Sequence, residues 1–272
     1  MKHITLAATG LALIALSSAA TAADMSVPSR VYTKAPVLVD PGYNWTGFYA
    51  GLNGGYSWGR TTATVIPTTP LAAGIGHDVD GALGGGQIGY NWQIDKTWVL
   101  GLEADIQGTG ERGRSADALG PIRAGRIGIA GANTSTTDFP WFATFRGRVG
   151  ILADPSLLLY GTGGLAVGEV KFGTQTALTA QFFDGNTPIG TPITAVGPAL
   201  WESQTRVGWT AGAGMEKKFS PNWSAKLEYL YLDFGSKTYF GGTADETRVS
   251  FHDHVFRAGF NYAFSPAVVA KY

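Results

Sequence analysis

The chain alternates between apolar and polar side chains over several segments of about ten residues. In segment 98–107, Leu100 and Leu102 share one parity, whereas Glu103 and Asp105 share the other. Successive side chains of a β-strand point to opposite faces, so this pattern predicts a strand with one apolar and one charged face. The same alternation recurs about eight times. Because the polar face is repeatedly charged, we expect the apolar face to contact lipid and the charged face to line a lumen.

Eight strand candidates are separated by connections that alternate in length. The candidates are residues 46–59, 82–92, 98–108, 139–151, 157–169, 201–218, 223–233 and 253–264. The connections 93–97, 152–156 and 219–222 are short, whereas 60–81, 109–138, 170–200 and 234–252 are long and rich in Thr, Gly, Asp and Pro. Short turns at one end and long loops at the other are typical of membrane barrels. The sequence therefore predicts an all-β fold, an eight-stranded antiparallel up-and-down transmembrane β-barrel.

The charged parity predicts a structural network inside this barrel. Its members are Glu103, Asp105, Arg146, Arg148, Arg206, Glu216, Lys226, Glu228 and Arg257. An eight-stranded barrel has room for little more than its own side chains, and an unpaired charge there is costly. We therefore expect these groups to pair with one another. The alternative is a narrow ion path lined by both signs of charge, although selective pores tend to carry rings of one sign.

Tryptophan positions support a membrane location for the strands. The tryptophans within about two residues of a predicted strand end are Trp45, Trp58, Trp92, Trp98, Trp141, Trp201 and Trp223. Membrane barrels place such amphipathic rings at the two membrane interfaces. Segment 157–169 is ambiguous because both of its parities are largely apolar.

The two ends of the chain have other compositions. Residues 1–23 have a basic start, an apolar stretch and small residues around Ala22, which predicts a cleaved signal peptide. Residues 24–44 are predicted to be a periplasmic lead-in, 45–264 the barrel, and 265–272 a C-terminal tail. The absence of cysteine excludes disulfides and thiol chemistry, and equal numbers of acidic and basic residues (20 each) give no indication of a nucleic-acid partner. An apolar run of about 18 residues, the length of a transmembrane helix, is lacking.

Histidines are the strongest candidates for ligand chemistry outside the network. His252 and His254 are two residues apart near the predicted extracellular mouth, and His77 falls in the first predicted loop. Imidazoles on one strand face could bind a metal ion or haem iron together. Ser57 and Ser250 are the serines expected near these histidines, but nothing in the spacing assembles a catalytic triad. We therefore expect no enzymatic activity, no metal site and no cofactor.

Four segments resemble a known family. They are the opening at 44–56 (NWTGFYAGLNGGY), the glycine-rich 160–166, the strand 226–231 (KLEYLY) and the closing 259–262 (GFNY). In these segments the chain resembles the small outer-membrane surface antigens, or immunogenic porin-like proteins, of α-proteobacteria. The resemblance implies an OmpA-like eight-stranded barrel domain with surface loops, and for some members haem binding or slow solute passage. The alternating aromatics that end at Phe264 also resemble the signal read by the barrel-assembly machinery, although Tyr272 ends the tail.

The function expected from these features is non-enzymatic. We expect a structural and surface-exposed barrel of the cell outer membrane, with antigenic or host-contact roles. The alternatives are a narrow porin-like channel and a surface haem or metal binder that uses His77, His252 and His254. Expected partners are outer-membrane lipid, the barrel-assembly machinery, and host or haem contacts through the long loops.

Overall fold

A computed structural model describes residues 43–66, 75–243 and 245–264, and almost all of them lie in antiparallel strands. The strands are β1 (Gly47–Val65), β2 (Ile75–Gln93), β3 (Trp98–Ala124), β4 (Ile127–Asp154), β5 (Leu157–Asp184), β6 (Thr187–Val196), β7 (Leu200–Lys218), β8 (Trp223–Tyr239) and β9 (Thr247–Phe264). Neighbouring strands pair in the order β4-β3-β2-β1-β9-β8-β7-β5, and β4 also pairs with β5. Eight strands thus close into a ring, which confirms the predicted fold.

The predicted signal peptide, the tail 265–272 and nearly all of the lead-in lie outside the described residues. Within the described parts of the chain, no helix could span a membrane.

The faces of the strands follow the predicted parity. Leu100, Leu227 and Phe260 are each more than 40% exposed on the outside of the ring, whereas Glu103 and Arg148 are buried inside it. Cross-strand pairing keeps this division, because directly opposed residues such as Leu52 and Phe260 lie on the same face. The outer wall is therefore apolar, as contact with lipid requires.

The predicted long loops are wrong in extent, because the strands continue far into them. Two of the hairpins close through tight turns at Gly125 and Gly185, whose positive φ angles of 62° and 58° suit glycine. Segment 170–200 also contains β6, a strand in addition to the eight of the ring, which pairs with the end of β5. The strands pair with each other through these segments, and this pairing outweighs the local turn signals.

Buried apolar side chains form three clusters inside the ring, one of which consists of Ala63, Phe172, Tyr239 and Val249. Near the short turns, Trp45 packs with Val99, Leu158 and Tyr160. Towards the long connections lies a larger cluster, whose members are Val79, Leu83, Phe139, Phe142, Ala166, Val170, Leu230, Leu232, Phe234, Phe251 and Val255. We call the last two the Trp45 cluster and the phenylalanine cluster.

These clusters explain two outcomes of the sequence analysis. The prediction that Trp45 lies at a membrane interface is wrong, because its ring is 3% exposed inside the barrel and its N–H donates to the carbonyl of Pro155. Both faces of β5 are apolar. Leu158 and Val170 face inward and belong to the Trp45 cluster and the phenylalanine cluster, whereas Leu165 faces outward.

Close strand contact inside the ring depends on glycine at Gly164. This residue faces inward opposite Arg146, and an added Cβ would overlap the carbonyl oxygen of Phe145 and lie 2.7 Å from the Cα of Arg146. Its neighbour Gly163 faces outward, where an added Cβ would meet the nearest atom, the carbonyl oxygen of Thr210, at an ordinary 3.5 Å.

We therefore expect Gly164→Ala to lower the free energy of unfolding by about 1–3 kcal/mol, the usual cost of overpacking. Gly163→Ala is the control, and it should be neutral or slightly stabilising because alanine restricts the unfolded chain. Urea unfolding of the barrel in lipid vesicles measures both. Equal stability of the two variants would contradict the close packing at Gly164.

Candidate functional site

The strongest concentration of chemically active side chains lies inside the ring, between the two apolar clusters. Strand parity places four carboxylates and four cations on the inner face, and each is at most 6% exposed. They are Glu103, Asp105, Glu216, Glu228, Arg146, Arg148, Lys226 and Arg257, which we call the charge layer. The layer contains equal numbers of acids and bases, so its formal charges cancel.

Arg146 is at the centre of the layer. Its guanidinium lies 2.5 Å from Glu103, 2.8 Å from Asp105 and 3.0 Å from Glu228, measured between nitrogen and carboxylate oxygen. Arg257, on β9, lies 2.6 Å from Glu228 and 3.0 Å from Asp105. The planar, multiply donating guanidinium suits such branched pairing.

Lys226 and Arg148 complete the layer. The Lys226 ammonium lies 2.9 Å from Glu103, and the Arg148 guanidinium lies 3.0 Å from Glu216. Glu103 thereby contacts cations from more than one strand, and removing any one member would leave a buried charge with fewer partners.

Two tyrosines support the layer from the side of the Trp45 cluster, and the sequence analysis missed their role. The Tyr49 hydroxyl donates to Glu103 at 2.7 Å, and the Tyr160 hydroxyl donates to Glu228 at 2.9 Å. Arg148 also lies over both rings, at 4.8 Å and 5.2 Å from their centroids. The sequence places both tyrosines on the inner face of their strands. Because a buried tyrosine hydroxyl usually finds a polar partner, this position could have predicted their contact with the layer.

Arg206 does not belong to the network, which corrects the prediction. It is fully buried, but no described carboxylate lies within 4 Å of its guanidinium. It lies instead 5.1 Å from the ring centroid of Tyr239 and donates to the hydroxyl of that residue. The alternating pattern placed Arg206 correctly on the inner face, but its position opposite Gly168 of β5 puts it at the level of the phenylalanine cluster and away from the charge layer.

Two further acids, Glu111 and Asp253, are buried at the level of the phenylalanine cluster, where Glu111 lies opposite Phe139 and Asp253 lies opposite Leu232. The Ser57 hydroxyl donates to Glu111 at 2.8 Å, and the backbone N–H of His254 donates to Asp253 at 2.8 Å. In the described parts of the chain no base pairs with either. Among the described residues, Glu111 Oε1 and Asp253 Oδ2 have no hydrogen-bond partner.

The three histidines lie on different sides of the wall. His77 faces inward and contacts the Thr137 hydroxyl at 3.0 Å, whereas His252 and His254 face outward from β9. All three belong to strands, and His252 and His254 lie inside β9, several residues after its first residue Thr247. They therefore do not converge on one ligand, and no metal-ligating group of three or more such side chains occurs within ranges 43–66, 75–243 and 245–264.

Removing Arg146 tests the pairing in the charge layer. We expect Arg146→Met to lower the free energy of unfolding by about 3–5 kcal/mol, because three buried carboxylates lose a partner. Arg206→Met is the matched control: it also deletes a buried guanidinium, but one without a carboxylate partner, so its cost should be much smaller. Urea unfolding in vesicles compares the two, and equal losses would show that pairing is not what stabilises the layer.

Comparison with known proteins agrees with this architecture. The chain matches the family described as outer membrane protein beta-barrel domain over residues 9–264. It is 35% identical over 271 residues to the 31 kDa outer-membrane immunogenic protein of Brucella melitensis, covering 97% of this chain and 100% of that protein. It is 32% identical to the 25 kDa outer-membrane immunogenic protein of the same organism, covering 93% and 94%.

Among solved structures, the chain is similar to Ail, the attachment invasion locus protein of Yersinia pestis. The TM-score is 0.32 at 14% sequence identity, covering 80% of this chain and 99% of that one. The Brucella relatives confirm the resemblance to outer-membrane surface antigens of α-proteobacteria. The chain therefore belongs to the outer membrane β-barrel protein family and resides in the outer membrane.

Proposed function

We propose that this protein is a non-enzymatic structural barrel with a closed interior, which offers an extracellular sheet to partners outside the cell. The observation that supports the closed interior is the balanced charge layer. Every ion that entered the ring would have to separate paired groups that are already close to one another. The Trp45 cluster and the phenylalanine cluster fill the ring below and above that layer.

The separation of the candidate serines and histidines within the described residues supports the non-enzymatic part of the proposal. Ser57 faces the lumen and donates to Glu111, whereas His252 and His254 face outward from the wall. Ser250 shares a hydrogen bond with Ser236. Acyl transfer or hydrolysis would need the nucleophile and base within hydrogen-bond reach of each other.

The strands that rise above the ring support the contact role. Short turns face the periplasm in barrels of this kind, so the extensions of β3, β4 and β5, together with β6, are extracellular. One face of this extended sheet carries apolar side chains that are each more than 40% exposed. They are Ile122, Ile127, Ile129, Leu178, Phe182, Ile189 and Ile193.

Strand pairing shows that these residues form one surface. Ile127 lies opposite Phe182, which in turn lies opposite Ile189, so the side chains project from the same face of three strands. A contiguous apolar patch in water marks an interaction site. The free edge of β6 is a poorer candidate, because Pro188 and Pro192 interrupt its backbone donors.

Two further partners follow from the same architecture. The apolar outer wall would contact outer-membrane lipid, and the aromatic β9, which runs to Phe264, would be read by the barrel-assembly machinery. Host protein contact is the role proposed for the extended sheet. Haem binding by the three histidines together is not part of the proposal, because the wall separates them.

Conductance measurements test the closed interior. The barrel reconstituted in a planar bilayer should give no discrete single-channel steps at either polarity, because the charge layer and both apolar clusters occupy the lumen. Wild-type steps whose ion selectivity changes in Arg146→Ala would instead establish the narrow channel.

Adhesion measurements test the extended sheet. Outer-membrane vesicles that carry Ile189→Thr with Ile193→Thr should bind host-cell monolayers several-fold more weakly than wild type, because the apolar face is reduced. The control is Thr179→Ser with Thr194→Ser, which changes a hydrogen-bonded pair in the same two strands. Protease shaving of intact cells verifies display of both variants. Undiminished adhesion of the isoleucine variant would refute the contact role.

A further inference from the structure

The outer wall contains a cleft at the extracellular border of its apolar belt. The outward residues of β1 are apolar or aromatic up to Tyr56 and Trp58, and the next outward residue is Arg60. A cavity of about 530 Å³ opens here between β2, β1 and β9. We call it the outer-wall cleft; its lining includes Tyr56, Trp58, Arg60, Asp80, His252 and His254.

The strand register builds this cleft from two consecutive outward rows. The lower row is Asp80, Trp58, His254 and Tyr231, and the upper row is Asp78, Arg60, His252 and Asp233. Four strands therefore place aromatic rings beside carboxylates, imidazoles and a guanidinium at one height. The rest of the apolar belt below these rows offers no such mixture, since Leu52, Phe256 and Phe260 face outward there.

The side chains of the cleft hold one another in place. The rings of Trp58 and His254 lie nearly parallel, with centroids 5.8 Å apart, and the Tyr229 hydroxyl contacts His254 Nδ1 at 2.7 Å. The Tyr56 hydroxyl donates to Asp80. A site whose rings and polar groups are fixed before binding loses less entropy when a ligand arrives.

We propose that the outer-wall cleft binds the sugar headgroup of a glycolipid in the outer leaflet. Its height matches the headgroup region, and the apolar belt directly below it can receive the acyl chains of the same molecule. A sugar ring presents an apolar face that suits Trp58 and hydroxyl groups that can donate to Asp80 and accept from Arg60. This combination of an aromatic surface with a few fixed polar groups is that of a small-molecule site.

The charges of the cleft favour a sugar over a bare phosphate. Asp78 pairs with Arg60 at 3.0 Å, so the guanidinium is partly neutralised, and Asp80 adds a further negative charge. An anion would meet these two carboxylates, whereas hydroxyl groups can both donate to them and accept from the neighbouring guanidinium and imidazoles.

Lipid retention tests this proposal. The purified barrel is incubated in detergent with rough-type lipopolysaccharide, or with phosphatidylglycerol as an anionic lipid that lacks the sugars, and retained lipid is counted by native mass spectrometry. Wild type should retain lipopolysaccharide in preference to phosphatidylglycerol. Trp58→Leu and Asp80→Asn should each reduce that retention at least about tenfold, as expected for central contacts of a site.

The controls are Trp141→Leu and Asp138→Asn, which change an outward tryptophan and an outward aspartate of β4 on another part of the ring. They should retain lipopolysaccharide at the wild-type level. All four variants alter outward side chains, and heat-modifiable migration on gels verifies their folding. Equal retention by the Trp58 and Trp141 variants, or equal retention of the two lipids by wild type, would overturn the proposal.

Discussion

Mutual neutralisation of charges inside a narrow ring is the interaction on which this structure depends. Eight ionised side chains occupy an interior that excludes most water, where an isolated charge would be very costly. Arg146 contacts three carboxylates at once, and Glu103 contacts cations from more than one strand. Because these contacts cross the lumen, they join strands that are far apart in the chain and so fix the closure of the ring.

The same constraint explains why small residues are needed next to the large ones. The backbones of β4 and β5 approach closely at Arg146 because Gly164, its partner on β5, contributes no side chain that would overlap the backbone of Phe145 and Arg146. Glycine in a strand interior is usually unfavourable, but here it allows two backbones to approach closely beside a large inward side chain. Inward glycines therefore leave space in the ring that the large charged side chains of the inner face need.

The sequence predicted well whether a side chain faces into the ring or outward. It predicted poorly where the side chain lies along the barrel axis. Parity alone placed Glu103 and Arg148 inside and Leu100 outside, since strand periodicity is strictly two. It could not show that Arg206 lies at the level of the phenylalanine cluster rather than in the charge layer, because the position along the barrel axis depends on register across the whole ring. For the same reason Trp45, which precedes β1, was expected at the interface although it turns into the lumen.

Strand length was the other property that local signals could not supply. Thr, Gly and Asp between residues 109 and 138 indicate a loop when they are considered singly, yet β3 and β4 pair through nearly the whole segment. Each strand in such a hairpin is stabilised by its partner, so the extension is decided by pairing rather than by the preference of one segment. The result is a protein with two levels: a membrane ring whose charge layer is paired internally, and an extended sheet whose apolar face is exposed within the described chain. The proposed contact role therefore depends on the sheet, because the charges of the ring already pair with one another.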